Sequence, residues 1–441
     1  MKSVTARITT GLALLVLLWA SLPALAEDVL RVEITSGVDE AEPVAVVPFT
    51  WEGEGDAPED VAEIIRQNLE RSGYFRPLER AELPDEPEQG DSIDFAPWRD
   101  AEADNLIVGR IREAEDDGLD ILFQAFDVYT GNQVLGYRVP VRADRLRRAA
   151  HEISDRIYEE LTGEPGAFNT RIAYVQRDHQ DDRERFYLVV ADSDGENPRR
   201  IMESPEPIMS PAWSPDGERL AYVSFESGYS EVFVQELASG ERESVSRQPG
   251  INGAPSFSPD GEHLALTITT GSGGPNLHIL DLASGEKEQI THSRAIDTEP
   301  AWYPDGDRLA FTSDRGGAPQ IYTVSASGGS VSRLTFEGNY NARPAISPAG
   351  DKLAVLHQGP NGFQIGLQDL ERRSFVLLTE GGDDESPSFA PNGRMIIHAA
   401  RRDGQGVLAT ASTDGRVRQV LAVADGEVRE PAWSPHLEPV R

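Results

Sequence analysis

Short apolar runs, each flanked by glycine, proline and aspartate, recur along the C-terminal two thirds of the chain at a nearly constant interval. Runs at residues 220–223, 264–268, 309–312, 353–356 and 396–399 follow near-copies of one phrase: PAWSPDG from Pro211, PSFSPDG from Pro255, PAWYPDG from Pro300, PAISPAG from Pro344 and PSFAPNG from Pro387. A sixth copy, PAWSPH from Pro431, has no such run after it. Apolar runs bounded by turn residues read as strands. Pro-Asp-Gly reads as a tight turn, because proline presets φ and glycine accepts positive φ. Phrase and run therefore predict a hairpin. A third apolar stretch ending in a polar turn (QELASGE, LDLASGE, STDGR) and a short fourth strand complete a period of 43 to 45 residues, the length of a four-stranded propeller blade.

The strands missing after the sixth phrase are found ahead of the first. Residues 171–175, 186–192 and 199–202 match the second, third and fourth strands of a blade, so the last phrase is expected to complete a blade begun at the other end of the array. Closure of this kind removes exposed sheet edges. The fold class predicted is an all-β six-bladed propeller preceded by a small α/β domain. Trp213, Phe257, Trp302, Ile346, Phe389 and Trp433 share one phrase position and are expected to fill the core between blades. Asp216, Asp260 and Asp305 are expected to cap turns.

Upstream of the repeats the periodicity changes. Leu30, Val32 and Ile34 alternate with Arg31, Glu33 and Thr35, as in a half-buried or addable strand. Residues 44–49 read as a buried strand. Residues 58–72 read as a helix with Val61, Ile64, Ile65 and Leu69 on one face and Gly73 as its stop. A short helix at 97–103, strands at 106–111, 121–129 and 133–141, and a helix at 146–161 follow, with 81–92 as an exposed acidic loop. Ahead of all this, Lys2 and Arg7, an apolar stretch at 11–20 and Ala24-Leu25-Ala26 form a secretory signal peptide. The domain division expected is a signal peptide at 1–26, an α/β domain at 27–163 and the propeller at 164–441.

Composition narrows the setting. The chain has no cysteine, hence neither a disulfide nor a lipobox, and no second segment long enough to span a bilayer. An exported monomer without direct membrane insertion is expected, located in the periplasm if the cell is Gram-negative. A formal net charge of −34 argues against nucleic acid, whose binding rests on neutralising phosphates with Lys and Arg. Salt adaptation explains such acidity as readily as a site does.

Motifs that carry chemistry are lacking. There is no Gly-x-Ser-x-Gly elbow, no His-Glu-x-x-His, no Gly-rich phosphate loop and no calcium-loop spacing. His263, His278, His357 and His398 fall at different repeat positions and are read as structural. No catalytic, cofactor or metal residue is assigned. A hydrolase or lyase site assembled across blades is the second functional reading. The segments just before each phrase lead back to the channel mouth. They carry Glu206, Asp297, Glu299, Asp383, Asp384, Glu385, Asp425, Glu427 and Glu430 against Arg343 and Arg429. An acidic mouth is thus expected, suited to a basic or amide-rich peptide or to a cation.

RIAYVQ at Arg171, PIMSPAWSPDGERLAYVSFESG at Pro207, NGAPSFSPDG at Asn252, LTGEPGAFNTRIAYV at Leu161 and VEITSGVDEAEPVAVVPF at Val32 together resemble the TolB family over nearly the whole mature chain. The resemblance implies a non-enzymatic periplasmic adaptor of the Tol-Pal system, supporting outer-membrane integrity and envelope constriction in division. It implies that the channel mouth binds the peptidoglycan-associated lipoprotein Pal, with Ala254, Thr298 and Glu299 matching contact positions and Met209 and Asn252 beside them. It also implies that the mature start binds the C-terminal domain of TolA through Glu27, Asp28, Val29, Leu30, Arg31, Val32, Glu33 and Ile34. Ile251 stands where family members often carry histidine.

Overall fold

The computed structural model describes residues 32–34, 41–87, 90, 93–114, 118–180, 183–271, 273–421 and 426–439. The expected signal peptide and Glu27 to Arg31 lie outside them. Residues 41–162 build the first domain. Its sheet runs Phe75–Pro77, Glu42–Val46, Asn105–Glu113, Gly118–Asp127, Gln133–Arg142, with Thr50–Glu52 also beside Asn105–Glu113. Helix α1 (Val61–Ser72) opens where Asp60 accepts a hydrogen bond from the Glu63 N–H at 3.1 Å. It closes at Gly73, whose φ of 73° only glycine adopts freely. Helix α2 (Ala96–Asp100) buries Trp98 against one face of the sheet. Helix α3 (Leu146–Thr162) and α1 cover the other, with Ile65, Leu69, Ile153 and Ile157 in a single core. The acidic loop contains one turn of 3₁₀ helix at Arg80–Glu82.

Six four-stranded blades follow. Blade 2 is Ile208–Trp213, Arg219–Ser224, Glu231–Glu236 and Arg242–Ser246, and blades 3, 4, 5 and 6 repeat it with inner strands Asn252–Phe257, Asp297–Trp302, Asn341–Ile346 and Glu385–Phe389. Blade 1 takes its inner strand, Glu427–Trp433, from the far end of the chain and pairs it with Arg171–Gln180, then Arg183–Asp192 and Arg199–Ser204. The expected closure is the one observed. Apolar side chains interlock between neighbouring blades: Val175 and Leu188 of blade 1 meet Trp213, Leu220 and Tyr222 of blade 2 in one cluster. Two indoles key the ring, Trp213 donating to the Ala432 carbonyl and Trp302 to the Ser256 carbonyl, each at 3.0 Å. Asp216, Asp260 and Asp305 accept backbone N–H bonds at 2.9 Å within the phrase turns.

One strand lies elsewhere than its sequence neighbours. Val32–Ile34 pairs antiparallel with Val417–Leu421, the outer strand of blade 6, in the register Val32 to Gln419 and Ile34 to Val417. It joins the propeller and not the sheet of the domain that follows it, because that outer edge is unpaired and alternation suits it to a ladder.

The first domain sits on the turns between strands one and two and strands three and four. Asn392 donates to the Pro165 carbonyl at 3.1 Å, and Arg394 pairs with Glu164. In the turn ending blade 1's third strand, Asp194 accepts from Arg147 of α3 at 2.5 Å, Asp192 lies 3.3 Å from the same guanidinium, and Arg71 of α1 donates to Ser193 at 3.3 Å. His151 is buried 3.7 Å from Asp194. Burial drives its pKa down to about 4, so the ring is neutral near pH 7 and charged only in acid.

Candidate functional site

The loops joining strands two to three, and strand four to the next blade, gather at the opposite end of the ring from the first domain. There each inner strand enters through a residue immediately before the phrase proline. All six of these residues, Ser210, Ala254, Glu299, Arg343, Ser386 and Glu430, have φ between 46° and 56°. Left-handed backbone costs a non-glycine residue about 1–2 kcal/mol. It comes with a bulge in every inner strand, for example between Met209 and Ala212 and between Thr298 and Ala301, where two residues face one. The proline, having no N–H, fits the unpaired bulge position. Six such bulges turn six side chains toward the axis around a pit of about 160 Å³.

The sequence predicts an acidic mouth; in the structure arginines pair with several of these carboxylates and lower the negative excess without abolishing it. Arg343 lies 3.4 Å from Glu299 and 3.5 Å from Glu430. Burial works against its charge, but Glu430, Glu299 and Glu385 more than offset that and raise its pKa. Asp297 is fully buried and takes both its oxygens to Arg315 at 2.8 Å. Asp384 is also fully buried, 3.9 Å from the buried His398. Glu427 pairs with Arg177 and Arg401. Asp425 lies outside the described residues. Arginine thus offsets several of these carboxylates, while Glu299 and Glu430 share Arg343 and Asp384 faces His398.

Ala254 and Glu299 belong to the ring of six. Thr298 is half-buried beside them and accepts from Thr267 at 3.2 Å, and Met209 is half-buried against the core of blades 2 and 3. Asn252 is not brought to the surface: it is fully buried, and its amide donates to Gln248 and Ser230 carbonyls and accepts from Ser246. Its work is to shape the loop that presents Ile251 and Ala254. His278 and His357 are likewise satisfied within their blades, bonded to Asn276 and Asn341.

Sequence reasoning missed the apolar part of this face. Among the described residues, nine large hydrophobic side chains are exposed; four of them, Tyr229, Ile251, Ile296 and Phe336, stand in mouth loops, and a fifth, Phe363, at the mouth end of a strand of blade 5. An apolar crescent rimmed by polar groups marks a surface for another macromolecule. The available signal was the isolation of these residues in otherwise polar loops.

Fold and site together define a two-domain propeller that presents a recognition face. A family model described as the TolB beta propeller domain matches residues 158–437, and one described as the TolB amino-terminal domain matches 30–134. A protein of Thioalkalivibrio sulfidiphilus named Tol-Pal system protein TolB is 53% identical over 96% of this chain and 98% of its own length; one of the same name from Nitrosococcus oceani is 52% identical over 96% and 97%. The crystal structure of TolB from Acinetobacter baumannii is 40% identical, with a TM-score of 0.84 over 92% of this chain and all of that one. The chain belongs to the TolB family, and it is a non-catalytic component of the cell envelope. The reading as a hydrolase or lyase is withdrawn on that ground.

Proposed function

We propose that this chain is the periplasmic adaptor of a Tol-Pal system, binding Pal at the channel mouth and the C-terminal domain of TolA through residues 27–34, and so supporting outer-membrane integrity and constriction during division. The observation that carries the first half is the mouth itself. Five exposed apolar side chains lie along blades 2 to 5, on one side of a pit floored by Glu299, Arg343 and Glu430, at the end of the ring left free by the first domain. Such a face suits a folded partner that lays apolar side chains on the crescent and polar groups over the pit. The second half is supported by Val32–Ile34, which already behaves as an added strand on blade 6. TolA would capture the same residues by strand addition, so Pal binding, by altering the blade edges, would change their availability.

Calorimetric titration with soluble Pal and with the TolA C-terminal domain tests both halves. Glu299→Lys and Ala254→Arg are expected to weaken Pal by at least about tenfold, roughly 1.4 kcal/mol, and to leave TolA binding intact. Deleting residues 27–36 is expected to abolish TolA binding and spare Pal. Unchanged Pal affinity in both substitutions would remove the mouth from the interface.

A further inference from the structure

Three of the six ring residues are charged, and their order around the axis is Glu299 in blade 4, Arg343 in blade 5 and Glu430 in blade 1, with Ser386 of blade 6 between the last two. Arg343 reaches all three. Its Nε is 3.4 Å from Glu299, its Nη2 is 3.5 Å from Glu430, and its Nη1 donates to the Ser386 hydroxyl. Each glutamate is also fastened to left-handed backbone: Glu430 accepts the Ser210 N–H at 2.5 Å, and Glu299 accepts the Arg343 N–H at 2.9 Å and the Thr312 hydroxyl at 2.8 Å. One guanidinium thus joins four of the six inner strands directly and a fifth, that of Ser210, through Glu430, and only Ala254 stands outside the network.

Two carboxylates facing one pit present what a hard cation seeks: oxygen ligands on a rigid frame. We infer that Arg343 is a resident counter-ion, a positioning residue that occupies the place a divalent cation would take between Glu299 and Glu430 and makes the floor of the mouth independent of metal. A planar fork with fixed donors suits this better than a mobile ion, because it holds both glutamates and the serine at set directions. It also leaves the floor at a net charge of about −1 by formal count of the three side chains. The inference rests on the floor geometry alone and stands whether or not Pal is the partner.

Calcium chloride is the probe, read by thermal melting and by calorimetric titration in the absence of any partner. The wild-type chain is expected to melt at the same temperature in EDTA and in about 5 mM calcium, apart from any shift shared by an Arg343→Ala/Glu299→Gln/Glu430→Gln control. Arg343→Ala is expected to melt about 5 °C or more lower. It should regain much of that in calcium, with a Kd on the order of 10⁻⁴–10⁻³ M, a gain that merely lost packing would not produce. Arg343→Lys should keep the wild-type indifference to calcium. Should Arg343→Ala not fold, Arg343→Gln, which can still donate to one carboxylate, takes its place with the same expected gain. A calcium response in the wild type that disappears in Glu299→Gln/Glu430→Gln would overturn the inference, as would uncharged variants at 343 that gain none.

Discussion

Asp194 offers a direct measure of what joins the two domains. Its carboxylate lies 2.5 Å from Arg147, with His151 3.7 Å away and Arg71 bonded to the adjacent Ser193, and its side chain is only 12% exposed. Asp194→Ala leaves Arg147 and Arg71 near one another, with Asp192 still 3.3 Å from the Arg147 Nε and Asp155 still acting on Arg71. Removing one partner of a buried pair costs about 3–5 kcal/mol, and unit charges about 3 Å apart at an effective dielectric of about 20 give a similar figure. Asp192 takes up part of the loss, so about 2–4 kcal/mol is expected. At about 2–4 °C per kcal/mol for a domain of this size, scanning calorimetry should show a fall of about 5–15 °C and an earlier, separate transition for the first domain. Asp194→Asn, which keeps the shape, should lose most of the same amount. Burial pushes the Asp194 pKa upward, but Arg71, His151 and Arg147 together hold it below the ordinary aspartate value. Its contribution is therefore present above the ordinary range and lost as pH falls through the depressed value, and the gap between wild type and variant should narrow there. Melting within about 1 °C of wild type for both variants, as one transition, would refute the ionic junction as the link.

Further expectations concern other parts of the molecule. Asp155 of α3 accepts the N–H groups of Phe168 and Asn169 at 2.7 and 3.0 Å, and burial pushes its pKa up to about 7. The raised value means that its stabilising effect is full below the ordinary aspartate range and declines as pH rises through about 7. Urea titrations across that window should show a slope that Asp155→Asn flattens. A Cβ on Gly73 would lie 1.8 Å from Val417 Cγ2 at a φ of 73°, so Gly73→Ala should cost about 2–4 kcal/mol in denaturant titration. Val417→Ala should restore part of it; strictly additive losses would contradict the contact. At the mouth, Tyr229→Asp and Phe336→Asp should each lower Pal affinity by about tenfold with melting unchanged, since both side chains are mostly exposed.

Much of the fold was legible because its determinants are local. The phrase carries its own turn, the apolar run its own strand, and α1 its own cap and stop, so residues 58–72 were read as a helix that the structure begins at Val61. Ring closure was also legible, since a blade missing strands at one end and a set of strands unclaimed at the other have one resolution. What escaped depends on contacts across the ring. Nothing near Arg343 in sequence tells that it will meet Glu299 of one blade and Glu430 of another. Asn252 and Asp297 resemble surface residues because polar segments precede them, yet each opens an inner strand and is fully buried. The alternation at Val32–Ile34 suits a half-buried or an addable strand, and it cannot name the partner, which lies nearly 400 residues away and shares no pattern with it.

The borrowed strand of blade 1 sets the order of events in folding. Trp433 pairs with Ile172 across some 260 residues, and closing a loop of that length costs about 5 kcal/mol of chain entropy. Until that strand arrives, Arg171–Gln180 has an open edge, and the bonds from Trp213 to Ala432 and from Ser210 to Glu430 have no acceptor. The ring is therefore latched last and by its latest segment, so a chain threading out amino end first stays uncommitted to its native ring until almost all of it has emerged. A product cut short before Glu427 would keep five complete blades and still carry an unpaired edge, making it a substrate for proteases and self-association rather than a slightly weaker version of the whole.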